Sequence, residues 1–157
     1  MADTTKSLMK WPLIIAAALV VLRVILERLG TPESVNNIFG VAWLYFIVPV
    51  YFALEIARGG DASPYRSLFK NVLLFSTYTR LMVMPTYWLA YAWQWGAPRF
   101  GLQRGGVVGE GVSALEGYLW IPVRNAAVWI ISATIIGMIL GGITLLIRRR
   151  KGAGSTS

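Results

Sequence analysis

Apolar residues in this chain neither alternate nor follow a narrow helical stripe. They gather into long blocks separated by short polar or glycine-rich breaks. The blocks cover about 11–29, 38–57, 72–95 and 122–147, and the stretch from Ala126 to Ile147 carries no charge at all. Each is near the ~20 residues that a helix rising 1.5 Å per residue needs to cross a hydrocarbon layer of ~30 Å. A transmembrane barrel needs alternating segments of about ten residues, and none is present. The pattern predicts an all-α polytopic membrane protein with four transmembrane helices in a single domain over 11–147. A short N-terminus (1–10) precedes it and a basic, then disordered, tail (148–157) follows.

Boundary residues sharpen these helices. Thr31-Pro32-Glu33 and Ser63-Pro64 each place a hydroxyl ahead of a first-turn proline,. Ser113 with Glu116 three residues on is a capping box, so a helix starts before the last block,. Pro122 then sets off a short interfacial segment, about 113–121, bearing Tyr118 and Trp120,. Pro49 and Pro85 lie inside apolar blocks, where each kinks its helix or frees backbone groups that neighbours must satisfy. The long connection Gly96–Val112 holds Gly101, Gly105, Gly106, Gly109 and Gly111. Such a loop is expected to be mobile alone and ordered by a partner.

Charge fixes the orientation. With four spans, Lys6, Lys10, Arg58, Arg66, Lys70, Arg148, Arg149, Arg150 and Lys151 share one side, against Arg28, Arg99 and Arg104 on the other. This positive-inside bias places both termini in the cytoplasm, the arrangement of a bacterial inner-membrane protein whose first block is a signal anchor. The net charge of +8 is therefore mostly topology. The Arg148–Lys151 run reads as a stop-transfer anchor that attracts anionic lipid, with no nucleic-acid motif beside it.

Composition removes much chemistry. The chain of 157 residues is 56% hydrophobic and 14% charged, with no His and no Cys. Thiol nucleophiles, Ser-His triads, zinc sites, His-ligated haem and Cys-ligated iron–sulfur clusters are excluded within it. No catalytic or metal-ligating set is expected.

Charges inside the blocks are the first functional candidates, because they are expensive there. Arg23 and Glu27 lie four apart on one helical face and can pair. Arg124 and Asn125 sit at a similar depth on the last helix and join them if the first and last helices are neighbours. Arg80 falls near mid-membrane on a face with Thr77, Met84, Tyr87 and Tyr91,. Its expected internal counter-ion is Glu55; the alternative is an anionic ligand, a lipid headgroup or a partner's acid. Trp88, Tyr91, Trp93 and Trp95 crowd one helix end as an interfacial belt, or as a stacking surface for a lipid, quinone or pigment held without His or Cys. Ala133, Gly137 and Gly141 form a small-residue ridge for close helix packing, within the chain or onto another subunit.

These features point to a non-catalytic structural or accessory subunit of a larger membrane complex, of the electron-transfer, photosynthetic or transport kind. Its partners are the lipid bilayer and other membrane subunits, in a hetero- or homo-oligomer, and not nucleic acid. The alternative is a small homo-oligomeric transporter or channel with Arg80 and Glu55 lining its path.

Overall fold

A computed structural model describes the backbone of residues 2–153 and the side chains of residues 8–150. It is 82% helix, with no strand among the described residues. The helices are α1 (Ala2–Arg28), α2 (Glu33–Ile38), α3 (Leu44–Arg58), α4 (Pro64–Ala92) and α5 (Ile121–Ala153). Three stretches are long and apolar enough to cross a membrane: Leu8–Arg28, Glu33–Arg58 and Glu116–Arg150. This is the profile of a membrane protein. The 29-residue α4 is not among the three, since Arg80 and its many hydroxyl and aromatic residues dilute its apolar character.

The most polar long helix sits at the centre. α4 packs against α5, α3 and α1, and α3 also lies along α5. Opposed residues give the directions: Leu68 meets Gly141 and Tyr91 meets Gly117, so α4 and α5 run antiparallel, while Arg58 lies beside Arg148 at one end of a parallel α3–α5 pair. Helix α1 is peripheral, with 17% of its apolar window buried against 44% for Glu33–Arg58. Two ends result. The terminal end holds the Arg58–Pro64 connection and Arg148; the loop end holds the 29–43 and 93–120 connections.

Toward the terminal end the interior is apolar. Phe52, Phe75, Leu68, Val72 and Leu145 are almost fully buried in one cluster. The expected ridge works here, within the chain. A Cβ on Gly137 would lie 2.6 Å from Val72 Cγ1, and one on Gly141 would lie 3.0 Å from the Pro49 carbonyl oxygen. Gly142, by contrast, faces open space.

Several boundaries differ from the sequence expectation. The block at 38–57 is not one helix: α2 ends at Ile38, Gly40 is extended, and a 3₁₀ turn (Val41–Trp43) leads into α3. At the break, Gly40 leaves room for Arg23: a Cβ there would sit 3.0 Å from Arg23 Nη1. The segment at 113–121 is not a separate interfacial helix. A π-helical turn (Glu116–Trp120) runs directly into α5, and the widened turn receives Pro122 without interrupting the rod,. The Ser113–Glu116 capping box does form: the Ser113 amide donates to Glu116 Oε2 at 2.9 Å, and the Glu116 amide donates to Ser113 Oγ at 3.3 Å. The Thr31 and Ser63 side chains do not cap α2 or α4. Helix α1 already begins at Ala2, and the part of the expected disordered tail beyond Ala153 lies outside the described residues.

Candidate functional site

The loop end of the bundle has a polar interior. Arg80 points inward from α4 and is 6% exposed. Its guanidinium carbon lies 4.4 Å from the centre of the Trp129 ring on α5 and 5.4 Å from that of Tyr45 on α3. Among the described residues no carboxylate is within ion-pair distance of it, and its Nε has no hydrogen-bond partner. The buried hydroxyls of Tyr45, Thr79 and Thr134 are also without partners. A desolvated cation–π contact contributes about 2 kcal/mol, whereas removing a single ion from water costs several. Two aromatic faces therefore reduce the penalty of burying Arg80 but do not cancel it.

Beside it lies a compensated cluster. The Glu27 side chain, 4% exposed, is shared by two arginines: Arg23 Nε donates to Oε1 at 3.0 Å, and Arg99 Nε lies 2.8 Å from Oε1 and 3.0 Å from Oε2. Arg23 Nη2 also donates to Asn37 Oδ1 at 3.3 Å. Burial pulls the Arg99 pKa below the ordinary arginine value, and the Glu27 carboxylate works against that pull. Arg99 Nη2 is buried with no partner. Among the described residues this end thus holds three largely buried guanidinium groups (Arg23, Arg80, Arg99) and one buried carboxylate, Glu27, which pairs with Arg23 and Arg99 only.

Arg99 reaches Glu27 because the glycine-rich connection folds back on the bundle. Phe100 is fully buried, edge-on to Tyr87 at 5.2 Å and against Trp95 at 6.0 Å. The Leu102 amide donates to the Val108 carbonyl (2.9 Å) and the Val108 amide to that of Phe100 (2.8 Å). A Cβ on Gly106 would lie 2.1 Å from the Phe100 carbonyl oxygen. Glycine here permits close backbone contact and so orders the loop. With Phe100 anchored, the preceding Arg99 is directed back over the Arg23–Glu27 pair.

The structure brings together only part of the expected constellation. Arg23 and Glu27 pair as the spacing predicts. Arg124 and Asn125 are not with them, because α1 lies on α4 and α3 and has no extended contact with α5; Arg124 is exposed and reaches toward Gly105 of the loop. Glu55 does not meet Arg80. It holds Arg58 at 2.5 Å at the terminal end, and the buried Phe52 and Phe75 fill the interior on the way to Arg80. Tyr87 and Tyr91 secure the loop end: Tyr87 packs on Phe100, and the Tyr91 hydroxyl donates to the Val112 carbonyl at 3.2 Å. Ala133, Gly137 and Gly141 pack internally.

Sequence reasoning missed Arg99, Asn37 and Trp129. A signal existed for Trp129, which stands four residues before Ala133 and so heads the same face as Gly137 and Gly141,. Arg99 and Asn37 lie in connections, and nothing local to them marks the fold-back. No group of His, Cys, Asp or Glu among the described residues is arranged to hold a metal. Compared with known protein families, curated proteins and solved structures, the chain matches none.

Proposed function

We propose that the chain crosses the bacterial inner membrane four times, with both termini cytoplasmic, and serves as a non-catalytic accessory subunit of a larger integral membrane complex. The support for a fourth span is that α4, at 1.5 Å per residue about 43 Å long, lies among three apolar helices,. A rod enclosed by membrane-crossing neighbours crosses with them, its polar groups shielded from lipid. The basic residues at the terminal end, exposed in Arg58, Arg66, Lys70, Arg148 and Arg149, favour the cytoplasm for that end,.

The observation that carries the subunit reading is the uncompensated charge of Arg80. It lies one side chain deep, behind Trp129, which is 39% exposed at the edge of the packed α5 face. An intramembrane arginine without an internal acid is best matched by an acidic or anionic group from outside the chain. A helix of another subunit, or a lipid, quinone or other cofactor at its edge, seated against Trp129 supplies it. A transport path through Arg80 and Glu55 gains no support from the packing, since Phe52 and Phe75 occupy the interior between them.

The test is native purification of the tagged chain in mild detergent. A stoichiometric hetero-complex, lost in Arg80→Gln, is the expected result. Recovery only as a homo-oligomer or a monomer would sink the subunit reading.

A further inference from the structure

At the terminal end, α3 and α5 diverge around a notch of about 330 Å³ lined by Leu54, Ala57, Arg58, Arg148 and Arg149. Arg58 gives one charge-assisted bond to Glu55 at 2.5 Å, yet its side chain remains 71% exposed. Among the described residues, Arg148 and Arg149 have no acidic partner. Three arginines and one carboxylate leave a net positive cradle where two apolar helices reach their ends. Immediately below it, Gly142 lies seven residues before Arg149, hence on the same face, and a Cβ there would meet nothing within 4 Å,. Ile143, Leu146 and Ile147 add exposed apolar surface beside it.

We propose that this notch binds the phosphate of an anionic phospholipid, with an acyl chain lying along the open strip at Gly142. Arginine forks suit phosphate oxygens, and a basic pocket between helix ends with apolar walls fits a headgroup better than a protein segment. Glu55 tempers the site by occupying Arg58. The proposal rests on α3 and α5 spanning a membrane and is independent of the accessory-subunit reading.

The experiment is native mass spectrometry of the full chain in detergent, titrated with phosphatidylglycerol or with phosphatidylcholine of equal acyl chains. Resistance to alkaline carbonate extraction is checked first, so a failure of the membrane reading shows itself separately. Phosphatidylglycerol is expected to be retained preferentially. Arg148→Gln and Arg149→Gln each weaken it about fivefold, as expected for one basic residue at a lipid surface. Arg150→Gln, outside the notch, weakens it less than either. Glu55→Gln strengthens it by freeing Arg58, a gain that no folding defect imitates. Equal retention of the two lipids, an equal loss in Arg150→Gln, weakened retention in Glu55→Gln, or displacement by millimolar inorganic phosphate would each overturn the proposal.

Discussion

The two ends of the bundle solve the same packing problem in opposite ways. Toward the terminal end, Gly137 and Gly141 let α5 approach Pro49, Leu68 and Val72 until no space for a side chain is left, and the remaining volume is filled by Phe52 and Phe75. Toward the loop end, the same helices enclose Arg80, the Arg23–Glu27–Arg99 cluster and several hydroxyls without partners. The interior of the first end is closed by apolar contacts, with the buried Asn71 Oδ1 left without a partner. The second holds more largely buried guanidinium groups than carboxylates among the described residues. On the proposed function, the second arrangement is where the chain meets a group from outside.

The largest effect should come from breaking the compensated half of the polar end. Glu27→Gln leaves Arg23 and Arg99 facing each other with no carboxylate between them. Breaking a buried pair of this kind typically loses about 3–5 kcal/mol. Unfolding in detergent, followed by circular dichroism, should show that loss, and adding Arg99→Met should recover part of it by removing one stranded charge. A Glu27→Gln variant as stable as the parent would show that the cluster is not a structural unit.

The apolar end should respond to volume instead of charge. Gly141→Val presses on the Pro49 carbonyl and on Leu68, both within 3.0 Å of the new Cβ, and overpacking of this sort loses about 1–3 kcal/mol,. Gly142→Val, next door but facing open space, should change little. Equal losses in the two variants would mean that the ridge is not the contact that sets the α3–α4–α5 spacing.

A smaller effect belongs to the connection between α3 and α4. Asp61 accepts hydrogen bonds from the Ser67 hydroxyl at 2.6 Å and the Ser63 amide at 2.8 Å, and these hold its carboxyl below the ordinary aspartate pKa. A depressed folded-state pKa adds stability that is fully present above the unfolded value and is lost as pH falls through the folded one. Between pH 7 and pH 5, Asp61→Asn should therefore be less stable than the parent by a small constant amount, and the gap should close below the ordinary aspartate pKa. The group is exposed, so solvent screening keeps the difference small. A gap that widens on acidification would contradict the assignment.

The terminal end was far more legible in the sequence than the loop end. Apolar block length gave the helices, and the four-residue spacing of Ala133, Gly137 and Gly141 gave a close-packed face, because both are periodic properties of one helix. The Ser113–Glu116 box was equally local. Arg23–Glu27 was visible for the same reason, being one turn apart. Arg99 was not: its place beside Glu27 depends on Phe100 lodging against Tyr87 and Trp95, a contact between distant segments with no period. Glycine content was equally uninformative about contacts in the same region, since composition does not show that Gly106 makes close backbone contact with Phe100. Helix order decided the rest. Arg124 and Asn125 were expected to join Arg23 and Glu27 if the first and last helices were neighbours, but α5 lies against α3 and α4.

On the proposed function, Arg80 is held for a group outside the chain and not for the chain's own stability. The direct test is the unfolding free energy of purified Arg80→Met in detergent, compared with the parent. Replacing a buried charge that has no acid by an apolar side chain of similar length should leave stability unchanged or raise it, since the desolvation penalty of several kcal/mol exceeds the aromatic contacts that offset it. A loss of about 2 kcal/mol or more would show instead that Trp129 and Tyr45 make Arg80 a structural residue of this fold.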